Sequence, residues 1–179
     1  MIRLTLSLLF VLTSASSYYF ALENLELSRE FVESLFTQFG FVVNLPHYLI
    51  FLIIFLNNSV KSLFAILLGV LLIPPLFFVI ANGLILGIVV GVKSVEIGLM
   101  KTLLLIVPHG IIEIPAMIIS ASYGIELGLT VLKKMRDENV KLSLVFQEKI
   151  GKFVRYLLPA FFIAALIETY VTPIVANLS

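Results

Sequence analysis

The sequence predicts an all-α fold: a polytopic transmembrane helical bundle of about five spans, with a re-entrant or surface helix beside them. Three observations carry this. Hydrophobic residues make up 60% of the 179-residue chain, charged residues only 13%, and the mean hydropathy is +1.13, outside the range of a soluble domain. The apolar residues fall in runs of about 20, the length that crosses a bilayer. The charges gather in one acidic and one basic connection, as expected of loops on opposite sides of a membrane. No polar stretch is long enough to bury its own core, so residues 1–179 read as a single membrane domain.

Several function classes are excluded at once. A net charge of +1 offers no electrostatic footprint for nucleic acid. With no cysteine, disulfides, thiol catalysis and thiolate metal sites are absent. Without tryptophan, an aromatic belt must be built from Tyr and Phe.

Met1 to Leu22 is the first apolar segment. Arg3 followed by a Leu-rich run and then Ser14, Ala15, Ser16 and Ser17 has the outline of a signal peptide. Apolar character resumes at Tyr18, which favours a retained span. Residues 24–40 carry Glu26, Glu30 and Glu33, with Leu27, Phe31 and Leu35 at helical spacing, and read as an amphipathic surface helix. Leu45 to Ile73 is apolar at both ends and polar at Asn57, Asn58, Ser59, Lys61 and Ser62. As one helix it would be about 43 Å long, more than the ~30 Å hydrocarbon layer, so it must tilt, protrude or break near the Asn pair.

Pro74 and Pro75 restart a helix over Leu76 to Val92. Gly83, Gly87 and Gly91 share one of its faces, a repeated small-residue pattern that admits a close helix neighbour. Gly124 and Gly128 repeat the pattern in the following span, from about His109 to Leu132. Between these spans, Lys93 to Val107 is short for a crossing and reads as a surface or re-entrant segment leading into Pro108. Lys133 to Arg155 holds seven basic residues against Asp137, Glu138 and Glu148, with an amphipathic helix over about 137–153. Tyr156 to Ala176 is the last span. The positive-inside rule then places the N-terminus and the basic loop 133–155 in the cytoplasm and the C-terminus outside a multi-pass cell-membrane protein.

Val107 to Pro115 is the chemically informative stretch. With Pro108 opening a helix, His109 and Glu113 fall one turn apart on one face. Glu168 sits late in the final span, on the same side of the membrane by the topology above. Ionisable groups in hydrocarbon are expensive and need a partner or a wet cavity. The expected polar centre is therefore Asn58, Asn82, His109, Glu113 and Glu168.

Three readings of this centre compete. It is a hydrogen-bonded network fixing helix register; or a proton or ion site; or a metal site of His109, Glu113 and Glu168, suited to a divalent metal such as zinc. It is not the His-Glu-x-x-His pattern of zinc proteases, since His47 is the only other histidine. Asp137, the lone Asp, lies in the basic loop, so a Ser-His-Asp triad has no support, and no residue is assigned a catalytic role.

The order Asn57-Asn58, Gly69, Asn82-Gly83 with Gly87, Pro108-His109-Gly110 with Glu113, Ala164-Ala165 with Glu168, and Thr172-Pro173 resembles the stage II sporulation protein M family, from Leu45 to Pro173. The resemblance implies a small multi-helical membrane domain in which Asn82, His109, Glu113 and Glu168 carry over. In endospore formers the family member works with peptidoglycan-degrading partners at the engulfing septal membrane, as a scaffold rather than the hydrolase. The expected function is thus a non-enzymatic membrane scaffold. The alternatives are a proton- or metal-ion-coupled transporter and an intramembrane metal-dependent hydrolase. The sequence departs from the family in its compactness, so a role with envelope protein partners is expected to rest on the two amphipathic connectors. Membrane lipid is the other expected partner, and the Gly-rich faces offer a route to a homo-oligomer.

Overall fold

The computed structural model describes residues 1–38, 40, 45–136 and 139–178. These are almost entirely helical, with no strand among the described residues. The elements are α1 (Ile2–Glu23), α2 (Leu25–Gln38), α3 (His47–Leu67), α4 (Ile73–Ile97), α5 (Leu99–Met135), α6 (Leu142–Lys152), α7 (Leu158–Leu166) and α8 (Thr172–Leu178). Two π-helical turns, Phe153–Leu157 and Ile167–Val171, join α6, α7 and α8 into one run. Five segments are long and apolar enough to span a membrane: Ile2–Glu23, His47–Leu71, Ile73–Ile97, Leu99–Met135 and Leu142–Val175. The protein is thus an α-helical membrane protein, with α2 as the helix beside the spans.

α5 is the central helix. Its Ala116, Tyr123 and Leu127 pack with Ile66 of α3 and with Phe153, Leu157 and Phe161 of the last run. Its Met117, Ile118 and Ala121 pack with Leu6 and Phe10 of α1 and Val79 of α4. Many large apolar side chains, among them Leu4, Val11, Phe77, Met100 and Ile111, point outward. That inversion of the soluble pattern fits a lipid-facing surface.

Lipid tails supply no hydrophobic drive between helices, so close packing of small residues must hold them together. α1 and α4 run side by side in the same direction. A Cβ added at Gly83 would meet Thr13, one at Gly87 would meet Ser17 and Ser14, and one at Gly91 would meet Ala21. Ser17 Oγ donates to the Thr13 carbonyl at 2.8 Å and reaches the Gly83 carbonyl at 3.5 Å. The Ser14–Ser17 run, with the outline of a cleavage site in sequence, thus supplies two residues to the face that meets these glycines. Gly124 packs on the Ala65 backbone, and Gly128 on Gly69 and Leu72. Both Gly faces are taken within one chain, so a homo-oligomer would have to form on other surfaces.

The structure decides one boundary that the sequence left open, and three others differ from expectation. First, Leu45–Ile73 does not break at the Asn pair. α3 passes through it, and the excess length is taken up by a 3₁₀ turn at Leu68–Leu71 and by Leu72, whose φ of 62° reverses the chain before Pro74 and Pro75. Second, Lys93–Val107 is not an element of its own: Gly98 (φ 88°, ψ 146°) splits it between the end of α4 and the start of α5. Third, Pro108 does not open a helix but lies inside α5, as does Pro115. Proline is favoured in a first turn, yet a membrane helix tolerates it inside when neighbours re-satisfy the freed carbonyl. Fourth, the basic helix expected over 137–153 begins at Leu142 and continues directly into the last span. Residues 137 and 138 of that expectation, and residue 39 of 24–40, fall outside the described residues.

The π turns have a local cause. Each ends two residues before a proline, Pro159 or Pro173. A proline ring pushes on the carbonyl one turn back, and a widened turn gives it room.

Candidate functional site

His109 lies ten residues into α5, about 15 Å from its start. Glu113 follows one turn later on the same face. Glu168 comes from the π turn Ile167–Val171 of the antiparallel last run. One ligand atom from each of the three lies within 4.8 Å of the others, and all three side chains are half-buried. Two helices therefore supply one nitrogen and two carboxylate oxygens to a common point. π turns inside α-helices are frequent at functional sites, and this one carries Glu168.

The three do not satisfy one another. Among the described residues no hydrogen bond joins them, and the buried His109 Nδ1 has no protein partner. Two ionised carboxylates at this separation repel by on the order of 3 kcal/mol at an effective dielectric of about 20. A cation or a proton between them removes that cost. In a tetrahedral zinc site, neighbouring ligand atoms stand ~3.4 Å apart, given zinc–ligand bonds of ~2.0–2.1 Å. Side-chain adjustments of about 1 Å would bring this set to that spacing. The nitrogen and oxygen donors suit zinc or a similar transition metal better than calcium or magnesium, which favour all-oxygen shells. Three protein ligands leave a fourth position open, as in exchangeable or catalytic sites rather than closed structural ones.

A pocket of about 220 Å³ reaches two of the three, lined by His109, Glu113 and Gly110 of α5, Asn82 and Ile85 of α4, and Phe10 of α1; Glu168 does not line it. Asn82 donates to the Phe78 carbonyl at 2.7 Å, which leaves its amide oxygen to face other groups. Asn58 is half-buried on α3 and accepts from Asn57 at 3.3 Å; it does not line this pocket. His47 stacks on Tyr170 with ring centres 5.9 Å apart and lies outside the His-Glu-Glu group.

Lys61, noted in the sequence as one polar residue among several, was left out of the expected polar centre. It lies on α3 and, with Asn82 and Ile85, lines a second pocket of about 370 Å³. Asn82 and Ile85 thus border both pockets. Lys61 therefore shares a pocket with Asn82, and Asn82 also borders the pocket of His109 and Glu113. The available signal was a single lysine in the middle of an apolar span, which is a functional hypothesis in its own right.

Fold and cluster together define a class: polytopic α-helical membrane proteins with ionisable side chains gathered inside the bundle. Within it, the chain belongs to the Stage II sporulation protein M family, whose model matches residues 6–173 and so takes in the whole polar centre. One relative, an uncharacterized protein of Methanocaldococcus jannaschii, is 35% identical over 128 residues, covering 68% of this chain and 71% of its own. No solved structure matches.

Proposed function

We propose that this membrane protein binds a divalent transition-metal ion at His109, Glu113 and Glu168 and exchanges it through the pocket beside Asn82. The observation that carries this reading is the convergence of three metal-ligand atoms from two helices with no hydrogen bond among them. A purely structural network would spend these groups on one another. The open fourth position and the adjoining pocket support ion exchange, and so a permeation role, over a sealed structural site. In this reading the Arg3 end and the basic segment face the cytoplasm, and the acidic α2 lies outside. The test is uptake of Zn²⁺ into liposomes that hold a fluorescent indicator. Wild type takes up the ion and Glu113→Gln does not; equal uptake by both contradicts the proposal.

The partner-scaffold role is the second reading. Its support is α2, which anchors Val32 in the bundle and exposes Leu27, Phe31 and Phe36. Arg29 faces Glu96 of α4 at 3.8 Å, and Lys93 pairs with Glu96 at 2.7 Å, so α2 is pinned to the end of α4 with an apolar edge outward.

A further inference from the structure

The opposite end of the bundle from α2 carries a second, chemically different cleft. The start of α1, the end of α5 and the middle of α6 enclose about 560 Å³, the size of a small-ligand site. One wall is apolar, with Ile2, Leu129 and Val145; the rim is basic, with Lys133 and Arg136, and Lys149 lies deeper. Two carboxylates face it, and each is engaged. Glu126 pairs with Lys149, and Glu148 accepts from Lys152 at 2.5 Å and faces Lys149 at 3.9 Å. Lys149 is nearly buried and stands 5.0 Å from the centre of the Tyr123 ring, with Arg3 at 5.7 Å from the same ring. Three basic side chains thus line the cleft against two carboxylates, and Lys152 from outside it also engages Glu148, which leaves Lys133 and Arg136 as the surplus charge. The C-terminal end of α5 adds only about half a negative charge, which one lysine offsets.

An apolar wall below a basic rim, at the end of membrane-spanning helices, matches an amphiphile with an anionic head. We propose that this cleft binds the phosphate headgroup of an anionic membrane lipid, with Lys133 and Arg136 on the phosphate and the first methylenes of its chains along Ile2, Leu129 and Val145. Lys149 is held by Glu126 and positions the rim. The inference is independent of the metal centre, which lies in a different pocket with different residues.

The test is native mass spectrometry of the full chain released from a neutral detergent, titrated with short-chain phosphatidylglycerol, phosphatidylcholine or inorganic phosphate. Phosphatidylglycerol is expected to bind one to one and at least about tenfold more tightly than phosphatidylcholine. Lys133→Ala combined with Arg136→Ala should weaken it by about tenfold or more, since each basic residue near an anionic headgroup contributes roughly fivefold. Both side chains are exposed, so this variant keeps its fold. Lys93→Ala, at the other end of the bundle, should change nothing. Equal binding of the two lipids, full binding by the double variant or an equal loss in Lys93→Ala would overturn the proposal. Competition by inorganic phosphate at the same concentration as the lipid would also overturn it, by making the cleft a free-anion site.

Discussion

Glu113 of α5 and Glu168 of the π turn face each other across the packing of two antiparallel spans, with His109 completing the set, and no hydrogen bond links the two carboxyls. Like charges brought together inside a membrane protein call for a counter-charge. That requirement, rather than the residue types alone, makes a cation the natural third party.

Metal binding should compete with protons. Carboxylate and imidazole ligands must be deprotonated to bind, so binding releases protons and affinity falls as pH falls. Zn²⁺ affinity is expected to drop at least about tenfold between about pH 7.5 and pH 5.5, as protons compete for the three ligands. Isothermal titration in two buffers of different protonation enthalpy checks the proton release.

Lys61 should act as a built-in competitor. Lys61→Met removes a positive charge from the pocket that shares Asn82 and Ile85 with the His109–Glu113 pocket, while keeping an unbranched side chain of similar length. Divalent-ion affinity is expected to rise several-fold, because a cation no longer has to share the carboxylates with an ammonium. Competition against a metal indicator measures it; unchanged or weaker affinity would exclude Lys61 from the site.

Much of this was legible in the sequence, for physical reasons that differ by element. The apolar runs located the spans because hydrocarbon thickness leaves little choice of length. The i, i+4 spacing of His109 and Glu113 put them on one face wherever the helix began, so the misplaced start at Pro108 did no harm. Gly83, Gly87 and Gly91 marked a close contact, but not that α1 would fill it. The helix break at Gly98 was missed because an isolated glycine reads equally as packing, and its φ of 88° appears only in three dimensions. Asn57 and Asn58 left a break in α3 open as one of three ways to fit its length, and α3 passes through them, since polar side chains can be bonded to each other without disturbing a helix. Lys61 was passed over because it sat among those polar residues.

The glycine positions separate steric from conformational roles. Gly87→Leu would force α1 from α4, because even a Cβ there meets the α1 backbone at Ser14, and should cost about 3 kcal/mol or more. Gly98→Ala has open space around it and should still cost about 1–3 kcal/mol, through its positive φ alone. Gly151→Ala, exposed in α6 with open space, should be neutral or stabilising by up to about 1 kcal/mol. Thermal unfolding in detergent ranks the three.

Breaking one partner of the Glu126–Lys149 pair should hurt more than replacing both. Lys149→Ala leaves Glu126 partly buried without its cation and is expected to cost about 1–3 kcal/mol. Glu126→Gln with Lys149→Met should recover most of that loss. A double-mutant cycle by thermal unfolding gives the coupling; purely additive losses would show that the pair contributes nothing.

The most direct measurement is elemental analysis of the purified protein in detergent, after exposure to Zn²⁺ and removal of excess metal, for wild type, His109→Ala and Glu168→Gln. The account predicts about one zinc per chain in wild type and little or none in either variant, with all three proteins still folded. No retained metal in a folded wild type, or equal metal in all three, would contradict a metal site at His109, Glu113 and Glu168.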